Sequence, residues 1–355
     1  MGISGRSADS LARLLRRFTA LAVVVFSVAM VALWIFAAPS SLPADYTAAE
    51  CRRVTVLDDV TGDVIVGAED LVLANSENEL LLTAHDRRDS AQPSGGLYSI
   101  SLFTLEAGDQ TITASRIYGQ GDGEETAFRP HGLALSSDGS RLALVNRPAS
   151  GRAEVLIGPF DGENWAPDQR LRGERLCRAN DLAFASDDGA ILDITLDRAD
   201  CEPSMRDLLP GAATGRLTRF DGRSLTDTAS GYAFPNGIID GYVAETRAMR
   251  VIRPDGPPLR MPGGPDNLSV DDAGWLVAAL HPKLIHLWLY RSGWNDKAPS
   301  RIIRVDPQDG EMRVLYDDVH GTLFSGATSA IYGDGLLVAG SAYDEGLLVC
   351  QEGLQ

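Results

Sequence analysis

Asp266-Asn267-Leu268-Ser269-Val270-Asp271 places a carboxylate and a carboxamide side by side, just ahead of the apolar segment 275–280. A short apolar run bounded by turn residues is typical of a buried β-strand. The pattern therefore predicts a strand whose beginning presents side-chain oxygens.

The same order of polar residues followed by an apolar strand recurs along the chain. Five further copies begin near Glu69, His131, Asn180, Asn236 and Gly326. Their spacing is uneven, roughly 30 to 65 residues. Short strands repeated around an axis form a β-propeller. Six copies therefore predict an all-β, six-bladed propeller. The alternative, a large β-sandwich, would not explain why polar residues recur at the same position in each copy.

The composition suits one large folded domain. The chain has 355 residues, of which 44% are apolar and 36 are glycine, so a sizeable core and many tight turns are expected. Its formal net charge of −17 argues against nucleic-acid binding and would attract cations to an acidic cleft.

Four cysteines occur, and none has the CxxC spacing of a zinc or redox site. Cys51 and Cys350 lie near the two ends of the strand-rich region, where a propeller closes its ring. We predict a disulfide between them, which would stabilise the fold by roughly 4–5 kcal/mol. Cys177 and Cys201 form a possible second bridge. Four buried thiols are the alternative, which an exported location would disfavour.

The N-terminal region predicts a membrane anchor. Residues 1–17 are basic, and residues 18–38 form an uncharged apolar run long enough to span a bilayer. Basic residues before the run place the following domain on the periplasmic or extracellular side. The alternative is a long signal peptide cleaved near Ser40. Residues 39–50 are predicted to be a linker, and residues 51–355 the propeller.

The motifs, taken in order, resemble those of the paraoxonases, the arylesterase and lactonase family. The resemblance covers most of residues 51–350 and is specific as an ordered set. Its motifs are 67–71, 130–133, 180–181, 236–238, 266–271, 281–282 and 321–328, together with the terminal cysteines. The wider superfamily includes gluconolactonases and strictosidine-synthase-like proteins. The resemblance implies a six-bladed propeller with two calcium ions in its tunnel and a retained N-terminal hydrophobic segment.

The resemblance also implies which residues hold each ion. The catalytic calcium would be bound by Glu69, Asn180, Asn236, Asp266 and Asn267. The deeper, structural calcium would be bound by Asp70, Asp181 and the backbone carbonyl of Leu133. Calcium prefers such oxygen ligands, and the two carboxylates in each set balance its charge. Neighbouring strand residues point to opposite sides, so adjacent ligands could serve different ions. The alternative is that these residues only form turns.

This arrangement predicts hydrolysis of lactones or related carboxylic esters. A calcium ion can polarise a carbonyl and stabilise the oxyanion that forms. His131 is the candidate base that activates water, and direct attack by a metal-bound hydroxide is the alternative. His281, which follows the strand at 275–280, is a candidate second catalytic residue at the same mouth.

One residue departs from the paraoxonase pattern. A second histidine pairs with the His131-type residue in that family, whereas Arg147 stands at the corresponding position here. A fixed cation would lower the pKa of His131 and cannot accept its proton. The departure puts a histidine relay in doubt, and it makes Arg147 a candidate for binding an anionic group of the substrate.

Two other segments allow alternative interpretations. Residues 85–89 are strongly polar and would favour polar or carboxylate-bearing substrates if they lined the tunnel rim, although an exposed loop is the simpler expectation. Residues 284–290 are apolar and favour a buried strand over a membrane-facing or substrate-facing patch. A strictosidine-synthase-like protein and a non-catalytic binding propeller remain alternatives. No GxSxG, Walker or HExxH motif is present.

Overall fold

Short, mostly antiparallel strands are the main regular structure of the described chain. The computed structural model describes residues 23–31, 37–74, 78–88, 95–119, 128–148, 152–187, 189–202, 204–208 and 211–352. The chain divides into two compact units, Met1–Pro39 and Ser40–Gln355. All of the described strands belong to the second unit.

The described strands fall into six four-stranded sheets, five of them formed by consecutive strands. Sheet one contains β2 (Ala68–Ala74), β3 (Glu79–Ala84), β4 (Gly96–Ser101) and β5 (Thr111–Gly119), and sheet two contains β6 (Pro130–Leu135), β7 (Arg141–Asn146), β8 (Glu154–Pro159) and β9 (Gln169–Leu171). Sheet three contains β10 (Ala179–Phe184), β11 (Leu192–Leu196), β12 (Gly215–Phe220) and β13 (Leu225–Tyr232), and sheet four contains β14 (Pro235–Ile239), β15 (Tyr242–Glu245), β16 (Arg250–Ile252) and β17 (Leu259–Arg260). Sheet five contains β18 (Gly264–Val270), β19 (Leu276–His281), β20 (Ser300–Val305) and β21 (Met312–Asp318).

The sixth sheet is built from both ends of the propeller. It contains β22 (Ala327–Gly333), β23 (Leu336–Ser341), β24 (Leu347–Gln351) and the first half of β1 (Cys51–Asp58). The second half of β1 pairs in parallel with β5, so this strand also joins sheet six to sheet one. A disulfide connects Cys51 to Cys350 across the paired strands β1 and β24, which confirms the prediction.

The first strands of the six sheets form a closed ring. Each of β2, β6, β10, β14, β18 and β22 contacts the first strand of the next sheet, and β22 returns to β2. This is the predicted propeller. The copy beginning near Gly326 and the five other copies of the polar motif all lie at or beside the beginning of one of these inner strands.

Every inner strand is irregular at its polar motif. Its pairing with the second strand of the sheet shifts register at the motif, as expected for β-bulges. The shifts fall between Ala68 and Asp70, Pro130 and Leu133, Ala179 and Leu182, Pro235 and Ile238, Pro265 and Leu268, and Ala327 and Ser329. Bulges re-aim side chains and leave backbone unpaired, so the polar residues need not alternate as in a regular strand.

Two glycines allow neighbouring inner strands to approach closely. A Cβ on Gly132 would lie 2.3 Å from Oδ1 and 2.5 Å from Cα of Asp181. A Cβ on Gly237 would lie 2.7 Å from both Cα of Asn267 and the carbonyl oxygen of Asp266. The glycine of one motif therefore makes room for the ligand-type residues of the next.

The helices are few. Residues 23–31 of the first unit form helix α1, and the second unit contains α2 (Leu102–Glu106), α3 (Leu284–Arg291) and 3₁₀ turns at Glu174–Leu176 and Met205–Leu208. The expected buried strand at 284–290 is therefore wrong. The segment follows Pro282 and is rich in leucine, a good helix former, and its apolar run, broken only by His286, carries no strand-like alternation. In α3, Tyr290 is buried and Trp288 is exposed.

The segment before the propeller is attached to it. The backbone N–H groups of Asp45 and Tyr46 donate to the carbonyls of Val314 and Leu315 in β21, and the Tyr46 side chain is buried in the core. The predicted linker at 39–50 thus lies partly on sheet five. Residues 1–17 lie outside the described residues, as does much of the predicted anchor at 18–38. Within the described part of the chain, no helix combines the length and apolar character required to cross a bilayer.

Candidate metal centre and active site

Five predicted calcium ligands lie buried at the beginnings of four inner strands. These residues are Glu69 on β2, Asn180 on β10, Asn236 on β14, and Asp266 and Asn267 on β18. We call them the oxygen cluster. The Asn236 amide donates to Asp266, and the Asn267 amide nitrogen donates to the backbone carbonyl of Glu69 over 3.1 Å. These bonds join β14 to β18 and β18 to β2 across the ring.

The oxygen cluster contains polar atoms that lack partners. Oε2 of Glu69 and the amide oxygens Oδ1 of Asn180, Asn236 and Asn267 are buried without a hydrogen bond to any described residue. Buried polar oxygens are nearly always paired, and an unpaired group is commonly explained by a water or an ion. The side-chain amide groups of Asn236 and Asn267 form hydrogen bonds through their nitrogen atoms, and their oxygen atoms have no hydrogen-bond partner among the described residues. The donor set of carboxylate and amide oxygens suits calcium.

The cluster contains only two carboxylates, so amides supply the remaining candidate ligands. Among the described residues, no group of three or more His, Cys, Asp or Glu side chains is arranged to hold a metal. A site here therefore depends on Asn180, Asn236 and Asn267 as neutral donors. Its formal charge of −2 balances one divalent cation.

A second pair of carboxylates lies further along the inner strands. Oδ2 of Asp70 accepts the N–H of Leu133 over 2.8 Å, and Oδ2 of Asp181 accepts the N–H of Ile238 over 2.8 Å. Oδ1 of Asp181 is buried without a partner among the described residues. Burial and the nearby charge of Glu69 raise the pKa of Asp70 to about 8, and burial and Asp70 raise that of Asp181. Two buried, ionised carboxylates this close together are unfavourable, so a proton or a bound cation would be required to offset their negative charge.

This pair lines a cavity of about 720 Å³ at the C-terminal ends of the inner strands. Glu69, His131 and the amide residues of the oxygen cluster are not among its lining residues. The Asp70 and Asp181 pair therefore lines this cavity, whereas the amides of the oxygen cluster and Glu69 do not. Leu133 directs its N–H towards Asp70, and the role predicted for its carbonyl remains a prediction.

His131 lies against the oxygen cluster. Its Nδ1 is 3.2 Å from Oε1 of Glu69, and Thr83 donates to its backbone carbonyl over 2.6 Å. Burial lowers the pKa of His131 to about 4, with Arg147 and Arg87 contributing and Glu69 opposing. Burial alone would raise the pKa of Glu69, but His131 and Arg87 outweigh it and lower that pKa to about 2. A carboxylate and a neutral imidazole therefore coexist near neutral pH.

His281 contacts the cluster through one of its members. Nε2 of the buried imidazole is 2.6 Å from Oδ2 of Asp266, and its Nδ1 has no hydrogen-bond partner among the described residues. Burial nevertheless raises the pKa of Asp266. A histidine in this position orients the carboxylate, as residues behind metal ligands commonly do.

Arg147 is largely engaged by the protein. Its Nε donates to the carbonyl of Ala179 over 2.6 Å, and its Nη2 lies 3.2 Å from Oδ2 of Asp197. Asp197 is shared with Arg178, which contacts both carboxylate oxygens. The guanidinium predicted to bind a substrate anion thus already has a carboxylate partner.

The sequence reasoning missed Arg87 as an individual functional residue, although it singled out residues 85–89. Nη2 of Arg87 is 2.5 Å from Nδ1 of His131 and 4.0 Å from Oε2 of Glu69. His85 is buried, and only Arg88 of the described residues 85–88 is exposed. The segment therefore forms part of the site wall instead of an exposed loop. Its position directly after β3, the strand that returns to end beside the Glu69 motif, was the available signal.

Comparison with known proteins gives one match in sequence and several in structure. No protein-family model matches the sequence. A protein named strictosidine synthase-like 13 from Arabidopsis thaliana is 26% identical over 174 residues, which span 44% of this chain and 42% of that protein. The matched region thus covers less than half of that relative.

Solved structures of similar shape include two gluconolactonases. The protein from Xanthomonas campestris is 17% identical with a TM-score of 0.48, covering 88% of this chain and 98% of its own. The periplasmic protein from Pseudomonas aeruginosa is 14% identical with a TM-score of 0.48, covering 86% and 92%. A calcium-binding regucalcin from Agrobacterium tumefaciens is 15% identical with a TM-score of 0.47, covering 84% and 95%.

Proposed function

We propose that this protein is a calcium-dependent hydrolase of lactones or related carboxylic esters, of the paraoxonase type. The observation that carries the proposal is the oxygen cluster, in which four buried oxygens, on inner strands from around the ring, lack partners among the described residues. Glu69, Asn180, Asn236, Asp266 and Asn267 would hold the catalytic ion. Asp70, Asp181 and the carbonyl of Leu133 would hold a second, structural ion.

The bound calcium would polarise the substrate carbonyl and stabilise the developing oxyanion. His131 would act as the base, because its imidazole is neutral and adjoins the cluster. In the tautomer whose Nδ1 donates its proton to Glu69, which requires Arg87 to move off Nδ1, Nε2 would be free to accept a proton from water. The water oxygen bonds to the carbonyl carbon, the ring C–O bond breaks, and the proton passes to the leaving alkoxide. The hydroxy acid then ionises and releases one proton.

His281 would position Asp266 for the ion instead of touching the substrate. Its Nε2 holds one carboxylate oxygen, while Asn236 donates to the other. Both contacts restrict the orientation of Asp266. A carboxylate fixed in this way is ordered before the ion binds, which favours binding.

Proton release from a panel of lactones and aryl esters tests the proposal. The wild-type protein should hydrolyse at least one substrate with calcium, and chelation should abolish the activity. Asn267→Ala should lower kcat/KM by about 100-fold or more, because the developing oxyanion loses a correctly placed cation. His320→Gln is the control, since His320 is exposed and belongs to neither proposed ion site. Hydrolysis that continues at the untreated rate after chelation would refute the proposal.

The sequence match favours one second candidate, a strictosidine-synthase-like protein without hydrolase activity. The replacement of a paraoxonase histidine by Arg147 also fits this candidate or a non-catalytic binding propeller. The same panel separates the three. A calcium-loaded protein that is folded but hydrolyses no member of the panel would favour the second candidate or the binding propeller.

We also propose a location outside the cytoplasm, with residues 18–38 as a single-pass anchor and a small molecule as the partner of the site. Two disulfides, Cys51–Cys350 and Cys177–Cys201, support an oxidising compartment. The basic residues of 1–17 support the orientation. Protease applied to intact cells should cleave the propeller's exposed segments only if this orientation is right.

A further inference from the structure

Two arginines approach the oxygen cluster from sheets one and two. Arg87 follows β3, and Arg147 follows β7. Nη2 of Arg87 lies 2.5 Å from Nδ1 of His131 and 4.0 Å from Oε2 of Glu69. Nε of Arg147 donates to the backbone carbonyl of Ala179, the residue before Asn180. A chain of net charge −17 thus places two guanidinium groups beside one acidic site.

Arg87 differs from Arg147 in its partners. Arg147 lies 3.2 Å from the carboxylate of Asp197. Arg87 donates to the carbonyl of Ala342 over 3.3 Å, and its nearest carboxylate among the described residues is Glu69 at 4.0 Å. Its side chain is only 17% exposed. A mostly buried guanidinium without a close carboxylate is costly, and an anion that pairs with it is favoured.

Metal binding would weaken the favourable interaction between the positive charge of Arg87 and the carboxylate of Glu69. Glu69 and Asp266 carry two negative charges, which a divalent ion in the oxygen cluster neutralises. The positive charge of Arg87 then has no carboxylate of its own among the described residues. The contact with His131 also changes, because an imidazole that carries its proton on Nδ1 cannot accept a hydrogen bond from Arg87 there. The active form would therefore leave Nη2 of Arg87 available.

We infer that Arg87 is a specificity-determining residue that binds a carboxylate of the substrate, and that the preferred substrates are lactones bearing a carboxylate close to the ring. This inference rests on the proposed function. Arginine suits the task, because its planar fork can donate two parallel hydrogen bonds to one carboxylate. In a bound substrate, the lactone carbonyl would lie at the oxygen cluster and the carboxylate at Arg87. The spacing of these two groups in the substrate would therefore match the distance from the oxygen cluster to Arg87.

A matched pair of substrates tests the inference. The pair shares one γ-lactone ring, which bears a carboxylate in one compound and a carboxamide in the other. Calcium-loaded wild type should prefer the carboxylate. Arg87→Ala should lower kcat/KM for the carboxylate about 10- to 100-fold more than for the carboxamide, with the difference mainly in KM; the contact of Arg87 with His131 would affect both substrates alike. Arg87→Lys should restore part of the preference, because it keeps the charge without the fork. Arg313→Ala, at an exposed arginine on β21, is the control.

Equal losses for both substrates would overturn the inference, since Arg87 would then act on His131 or on the fold. Absence of any preference in the wild type would also overturn it. Calcium affinity of Arg87→Ala, measured by calorimetry, should be no weaker than that of the wild type, because a positive charge 4.0 Å from Glu69 is removed, and this result would exclude damage to the oxygen cluster.

The inference and the proposed function can fail separately. Hydrolysis of both lactones with no effect specific to Arg87 would leave the hydrolase standing and remove the carboxylate site. A protein that hydrolyses neither compound, and no member of the lactone and aryl-ester panel, would remove the hydrolase. In that case the carboxylate lactone and its carboxamide serve as binding probes for the calcium-loaded protein. Selective binding of the carboxylate that Arg87→Ala abolishes would support the anion site, and equal or absent binding would refute it.

Discussion

At the level of single residues, the chemistry depends on oxygens without partners. Asn236 and Asn267 each use the amide nitrogen for a hydrogen bond within the ring, so the oxygen remains free. The sequence could identify these residues because their types and order are specific. It could not identify the Nε2 contact of His281 with Asp266, which depends on the register shift between β18 and β19. It could not identify the approach of Arg87 either, because that depends on the path of the chain after β3.

His131 should be the residue whose removal affects chemistry more than binding. We expect His131→Gln to lower kcat by about 100-fold or more with KM little changed, the usual effect of losing a general base. Steady-state kinetics on the best lactone of the panel would measure it. The control is again His320→Gln. A His131→Gln variant with wild-type kcat would show that another group activates water.

At the level of strands, bulges and glycines determine where the polar residues point. A regular strand would alternate Glu69 with Asp70 and Asn180 with Asp181. The structure instead inserts a register shift at each motif and packs Gly132 and Gly237 against the next inner strand. The sequence predicted the strands and their order from apolar runs and turns. The bulges could not be predicted from the sequence, because a one-residue shift in pairing leaves no periodic signal in a strand of six or seven residues.

Gly237→Ala should disturb both the fold and the ion site. The new Cβ would lie 2.7 Å from backbone atoms of Asp266 and Asn267, so β18 would have to move away from β14. We expect the free energy of unfolding to fall by about 1–3 kcal/mol, as for overpacking, and calcium to bind more weakly. Denaturant unfolding and calorimetry measure the two effects.

Gly62→Ala is the control for this change, because no atom lies within 4 Å of its new Cβ. Its positive φ of 76° still makes alanine somewhat unfavourable, so a loss of about 1 kcal/mol is expected. Calcium binding should be unaffected in this variant. Equal weakening of calcium binding in both variants would contradict the proposed role of Gly237.

At the level of the whole molecule, closure of the ring brings distant ligands together. Glu69 and Asn267 are 198 residues apart, yet a hydrogen bond joins them directly. Strand β1 and the Cys51–Cys350 disulfide hold the first and last sheets in place. The repeat and the terminal cysteines made this closure predictable. The helix α3 was not predictable from the sequence, because an apolar run without alternation suits a helix or a buried strand equally well.

Counting calcium ions in the purified protein tests the ion sites most directly. After exhaustive dialysis against a calcium buffer, elemental analysis should find two ions per wild-type chain. Asn236→Leu, which removes one free oxygen of the cluster, should retain only the ion at Asp70 and Asp181. A wild-type chain that holds no calcium above the buffer background would contradict the account, because the buried oxygens of the cluster would then need a different explanation.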